Sequence, residues 1–155
     1  MDDKKNLSLF KKLIITGFYT GYIKYLPGTA ATFIGFLIYI CLGQFVALYC
    51  ALLLFFTICG FLFTKKAEIY FGKKDSEKIT ADEISGYMIG MLFFFPPDIL
   101  YGIAGFALFR FFDILKPGIK RVQSLPHGYG VMLDDILAGI MTNLLLQLLR
   151  IILNN

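Results

Sequence analysis

The sequence predicts an all-α fold, a small multi-pass transmembrane helical bundle, and three observations carry that expectation. Fifteen basic and 11 acidic residues make up only 17% of a 155-residue chain that is 57% hydrophobic, with a mean hydropathy of +0.70. A soluble domain devotes about a quarter of its residues to charge, so a water-facing surface here would carry broad apolar patches. The residues from Tyr25 to Thr64 hold no charge at all. No stretch sustains the alternation of a strand, and lipid admits only helices or closed barrels. The hydrophobicity excludes a disordered chain, and the length fits one domain over residues 1–155.

Taken in order, residues 1–29 are polar at first and then rich in glycine and aromatics. A bilayer core roughly 30 Å thick needs roughly 20 helical residues, so the uncharged stretch has room for two passes. Gly43-Gln44 is its natural break, giving a short first helix over 30–43 and a second over 45–64. Residues 65–82 read as a charged connection. Ile84 to Phe95 and 98–112 form two apolar stretches divided by Pro96-Pro97, which stops a helix and turns the chain. At 1.5 Å per residue each reaches only about 18–22 Å, so they read as short hairpin partners. Asp113–Asp135 is a polar, glycine-rich loop, and Ile136–Leu153, with Arg150 as its one charge, is long enough to span.

If both pairs are hairpins, residues 1–29, 65–83 and 113–135 share one side of the membrane. The basic clusters Lys4/Lys5/Lys11/Lys12, Lys65/Lys66/Lys73/Lys74/Lys78 and Lys116/Lys120/Arg121 mark that side as cytoplasmic. Binding to nucleic acid is disfavoured, because these basic residues are not interleaved with an aromatic platform. Cys41, Cys50 and Cys59 lie in apolar runs at spacings suited neither to zinc nor to a redox pair. The first residues lack the clean apolar core of a secretory signal.

The chemistry concentrates on the polar side. Two adjacent acid pairs, Asp82-Glu83 and Asp134-Asp135, each stand just before an apolar helix, with Gly86 and Gly139 following at similar offsets. Acids favour helix starts for capping alone. Two such pairs on one side repel each other unless a cation is present, and Mg²⁺ is commonly held by a few carboxylates together with substrate phosphate. Arg110, Asp113 and Lys116 follow at steps of three, near one helix face. An arginine in an apolar run is a functional candidate by default, and its fork suits phosphate oxygens. An Arg110–Asp113 ion pair at the headgroups is the competing reading. Gly28-Thr29 and the loop containing Gly128 and Gly130 could bring backbone amides to an anion, or simply be turns. His127, the lone histidine, reads either as a base or as an ordinary loop residue. Tyr22 and Tyr129 read as interfacial aromatics, and Gly86/Gly90 as a close-packing pair.

With these residues in view, the chain resembles the phosphatidylglycerophosphatase A family of bacterial membrane lipid phosphatases. The blocks that carry the resemblance are TGFYTGYIKYLPGTAAT over 16–32, ITADEISGYMIG over 79–90, and FALFRFFDILKPGIKRV followed by HGYGVMLDDILAG across 106–139. The last is the most specific: an F-R-x-x-D-x-x-K-P run, then G-x-G-x-M-x-D-D-x-x-A-G. The chain departs from the family pattern at Gly118, at His127 and at Ala31-Thr32.

The resemblance implies a Mg²⁺-dependent hydrolysis of phosphatidylglycerophosphate to phosphatidylglycerol and inorganic phosphate in the bacterial cytoplasmic membrane. It implies Asp82, Glu83, Asp134 and Asp135 around the metal, with one as a general base. Arg110 and Lys116 would face phosphate oxygens, Asp113 would orient Arg110, and Gly28, Thr29, Gly128 and Gly130 would offer amides. Metal-activated water and a covalent aspartyl-phosphate both remain open. The competing functions are another lipid phosphomonoesterase or phosphotransferase, and a non-catalytic transporter or assembly subunit. The D-G-x-x-A-R pattern of CDP-alcohol phosphotransferases is not found.

Overall fold

Six α-helices and one short 3-10 turn make up the described residues, 6–115 and 128–153, of the computed structural model, and no strand occurs among them. Helix α1 (Leu9–Ile15) starts at Ser8, whose side chain accepts from the Lys11 amide, and buries Ile14 and Ile15. The 3-10 turn Thr20–Tyr22 leads to α2 (Pro27–Leu42), which opens with proline at its first position, where a missing N–H costs nothing. Then come α3 (Val46–Phe71), α4 (Ala81–Gly90), α5 (Ile99–Leu115) and α6 (Tyr129–Leu153).

Several boundaries differ from the sequence expectation, each for a physical reason. The second long helix does not stop at 64. Gly60, Thr64 and Ala67 are buried and Phe71 is partly so, which continues one helical stripe through the charges until Gly72 closes the helix with φ +70°. The connection is therefore 72–80, not 65–82. Helix α4 starts at Ala81 and ends at Gly90, so Asp82 and Glu83 lie in its first turn rather than before it. Helix α5 runs on to Leu115 and takes Asp113 into its last turn. The polar loop expected up to residue 135 gives way to helix at Tyr129. Met132, Asp135, Gly139, Thr142 and Leu146 are buried along one face of α6, so the acids belong to a packing stripe and not to a cap. Helix α1 was not expected.

Helix α4 is the hub, packed by α2, α3, α5 and α6 and almost wholly buried. Glycine allows its closest crossing. A Cβ on Gly86 would lie 2.7 Å from the Asp135 carbonyl oxygen, and one on Gly139 would collide with the Gly86 carbonyl. Gly90 lies similarly close to Thr142, so the expected close packing of this pair is realised. Three tyrosines pin the core with their hydroxyls. Tyr39 donates to the Phe94 carbonyl (2.8 Å), Tyr49 to Met88 (2.7 Å) and Tyr87 to Gly102 (3.0 Å).

Helices α3 and α6, of 26 and 25 residues, are long and apolar enough to cross a membrane, and only 28% of each apolar window is buried inside the protein. Leu54, Ile58 and Leu62 on α3 and Leu144, Leu148 and Ile151 on α6 face outward. Water would oppose that much exposed apolar surface, which suggests association with a membrane. Helix α2 is apolar but shorter.

Candidate active site

The starts of α2, α4 and α6 and the end of α5 meet at one end of the bundle. Side-chain oxygens of Asp82, Glu83 and Asp135 lie within 4.8 Å of one another. With Asp113 and Asp134 they line a cleft of about 420 Å³, which the 73–77 segment closes with Lys73, Lys74, Asp75, Ser76 and Glu77. Asp82 and Glu83, adjacent in α4, project about 100° apart. Glu83 turns toward α2 and α5. A Cβ on Gly28 would run into Glu83 Oε1 and lie 3.1 Å from Arg110 Nη1. The missing side chain of Gly28 is thus what lets carboxylate and guanidinium approach the first turn of α2.

Arg110 Nη1 pairs with Asp113 Oδ2 at 2.6 Å, one helical turn along α5, with both side chains largely buried. The ion pair weighed from the sequence therefore forms, inside the protein and beside the acid cluster. The same nitrogen donates weakly to Thr32 Oγ1 (3.5 Å), whose hydroxyl donates to the Gly28 carbonyl (2.8 Å). Thr32, a point of departure from the family pattern, joins the arginine's surroundings. Arg110 Nε is buried with no hydrogen-bond partner, as are Asp82 Oδ1 and Glu83 Oε2.

The electrostatics are lopsided. Burial, and after it the neighbouring Glu83, holds Asp82 well above the usual carboxylate range, with Asp134 and Asp113 adding to the effect. Burial and then Asp135 push Glu83 up to about 8, while Arg110 pulls the other way. Two carboxyls held above their usual range, Asp82 and Glu83, thus stand side by side, with Arg110 as the largely buried cation beside them among the described residues. A buried charge without a partner is costly, and hard divalent cations sit about 2.0–2.6 Å from carboxylate oxygens. Oxygens spaced as these are can share such an ion, and the unpartnered oxygens of Asp82 and Glu83 are suited to bind it. The residues present fit a divalent cation, while the spacing leaves its identity open.

Not every residue expected at the site reaches this cleft. Thr29 stands in the first turn of α2 beside Gly28. Gly128, with φ +77°, instead packs against Thr64 and the Lys65 amide of α3, and Gly130 is buried in the first turn of α6. Neither lines the acidic cleft. Lys116 and His127 lie outside the described residues. Sequence reasoning missed Lys73, Lys74 and Ser76 as cleft walls. Their crowding of charge just ahead of the acid pair was the available signal.

Buried carboxylates and a guanidinium gathered at one end of an apolar helical bundle are the groups of a protein able to hold a metal ion and an anion side by side. The chain belongs to the phosphatidylglycerophosphatase A family, whose model matches residues 13–150. A Bacteroides thetaiotaomicron protein, provisionally named phosphatidylinositol-3-phosphatase, is 37% identical over 94% of this chain and 97% of its own length. Phosphatidylglycerophosphatase A of Haemophilus influenzae is 35% identical over 88% of this chain and 87% of its own. The Escherichia coli protein of that name is 34% identical over 46% of this chain and 42% of its own. No solved structure matches significantly. The family and its named members are phosphatases, and this chain is an enzyme of that class.

Proposed function

We propose that this protein is a single membrane-embedded domain that hydrolyses phosphatidylglycerophosphate to phosphatidylglycerol and inorganic phosphate, with Mg²⁺ as cofactor. The observation that carries the reading is the convergence of Asp82, Glu83 and Asp135 beside Arg110 at one end of the bundle. Asp82, Glu83, Asp134 and Asp135 would hold the ion, which when bound supplies positive charge where the phosphate oxygens must come to rest. Arg110, aimed by Asp113, would direct its free Nε–H at a phosphate oxygen. Gly28 and Thr29 would bring the first-turn amides of α2 close to the same anion. A carboxylate of the cluster would take the proton from the attacking water. The acyl chains would stay in lipid beside α3 and α6, with the basic loops and the site on the cytoplasmic face of a bacterial inner membrane.

A second reading, hydrolysis of a phosphorylated phosphatidylinositol, draws on the name of the Bacteroides relative, which matches nearly the whole chain. One assay separates the two. Purified protein in detergent is given phosphatidylglycerophosphate or phosphatidylinositol 3-phosphate, with Mg²⁺ or with a chelator, and free phosphate is measured. Mg²⁺-dependent release from the first lipid alone supports the main reading. Release from the second alone replaces it, and release from neither rejects both.

A further inference from the structure

A second cleft, of about 480 Å³, adjoins the acidic one and has the opposite charge. Lys24, Lys73 and Lys78 line it, with Tyr22, Ile23 and Phe71 as its apolar wall. Lys73, Ser76 and Glu77 border both clefts, so the two adjoin along the 73–77 segment. Pro27 lines the basic cleft, and the next residue, Gly28, backs Glu83 and Arg110. Lys73 is paired with Glu77 at 3.2 Å, which leaves Lys24 and Lys78 without a carboxylate partner among the described residues. Lys78 is held over the rings of Tyr22 (5.2 Å) and Phe71 (5.4 Å). Its backbone packs closely on Gly21, where a Cβ would collide with the Lys78 carbonyl. The ammonium thus lies over aromatic rings at the edge of an amphipathic cleft.

We infer that this basic cleft is a subsite for the phosphodiester of a lipid whose monoester is cleaved in the acidic cleft. The inference rests on the phosphatase reading and deepens it by giving the lipid's second phosphate a place in the protein. A dianionic monoester suits a cleft in which carboxylates hold a cation. A monoanionic diester needs no metal and suits two ammonium groups. The apolar wall of Tyr22, Ile23 and Phe71 suits the glycerol backbone and the start of the acyl chains. The enzyme is thereby fitted to lipids carrying a diester a few bonds from the monoester, and not to phosphatidic acid, whose monoester is attached directly to diacylglycerol.

The test compares phosphatidylglycerophosphate with phosphatidic acid in neutral detergent micelles containing Mg²⁺. It uses the parent protein, Lys24→Gln/Lys78→Gln, and Lys65→Gln as a control for loss of charge on α3. The double variant should raise KM for phosphatidylglycerophosphate about tenfold with kcat little changed, as expected for lost ground-state binding. It should move KM for phosphatidic acid less than twofold, and Lys65→Gln should move neither. Phosphatidylglycerol, which has the diester alone, should inhibit the parent competitively and the double variant about tenfold less well. An equal rise in KM for both substrates, or no rise, overturns the subsite. So does activation or non-competitive inhibition by phosphatidylglycerol, which would mark a separate lipid site. If the parent releases phosphate from neither substrate, the phosphatidylglycerophosphate reading fails. Binding of short-chain phosphatidylglycerol to parent and double variant, followed by thermal shift, then decides the subsite alone, and equal binding rejects it.

Discussion

The two ends of the bundle bury polar groups in opposite ways. At the end formed by residues 90–98, the buried polar groups are neutral and partnered. Tyr39 Oη donates to the Phe94 carbonyl and accepts from the Asp98 amide. The Asn143 amide donates to the Ile89 (3.5 Å), Gly90 (3.0 Å) and Leu92 (2.6 Å) carbonyls, at and just beyond the end of α4. At the other end the buried groups are ionisable, most of them carboxyls, and Asp82 Oδ1, Glu83 Oε2 and Arg110 Nε lack partners. The first arrangement serves folding, since each group satisfies another. The second opposes folding unless a ligand of opposite charge arrives, and that difference separates scaffold from site in a small all-helical protein.

The comparison breaks most readily at the acid cluster. Asp82→Asn should lower Mg²⁺-dependent phosphate release by on the order of 10²–10⁴-fold, while Tm measured with a chelator stays level or rises, because a carboxyl whose ionised form burial and Glu83 disfavour is replaced by a neutral amide. Near-normal turnover would remove Asp82 from the proposed chemistry. Gly28→Ala is the next largest effect. Its methyl would push against Glu83 Oε1, and displacement of a reacting group by about 1 Å can cost roughly 10²-fold in rate. The expected result is a fall in kcat with a Tm close to the parent's.

The opposite end should show the reverse pattern. Asn143→Ala removes the donor to three carbonyls and should cost about 1–3 kcal/mol of stability, read as a lower Tm in detergent. Turnover per folded molecule should be nearly unchanged at a temperature where the variant is folded. A variant that lost activity but no stability would contradict the division of roles.

The smallest expected effect is a pH trend confined to the acidic end. Glu83 has its folded pKa raised to about 8, above its ordinary 4.5. The folded state therefore holds a proton that the unfolded state releases between those values, and stability falls as pH rises through that window. With a chelator, Tm should decline steadily as pH rises from about 5 to about 8. Saturating Mg²⁺ should flatten or reverse the decline, because the bound cation replaces the proton. A chelated protein whose Tm rose over this range would show that the cluster is not electrostatically strained.

Much of the site could be read in advance because charge in an apolar chain is conspicuous. Asp82-Glu83, Asp134-Asp135 and Arg110 are singled out by where they interrupt or adjoin hydrophobic runs. The Gly86/Gly90 spacing foretold a close crossing, and the structure supplies the partners, Gly139 and Thr142. Helix ends were harder. The 65–71 segment looked like a loop because it is charged, yet Ala67 and Phe71 continue the buried stripe of Gly60 and Thr64. The same averaging hid the first two turns of α6, where Met132 and Asp135 share a buried face. Local polarity is a poor guide when a helix needs only one face in four to be apolar.

By itself, the sequence determined that the chain is helical, that its exterior is apolar, and that its paired acids and Arg110 stand out, because each follows from composition or from local periodicity. Only the tertiary structure decided that α4 passes down the middle, that Gly28 clears a path between Glu83 and Arg110, and that a basic cleft lies next to the acidic one. Those facts depend on which helix faces meet across long separations in the chain, and close packing settles that among the assembled helices rather than in any one segment.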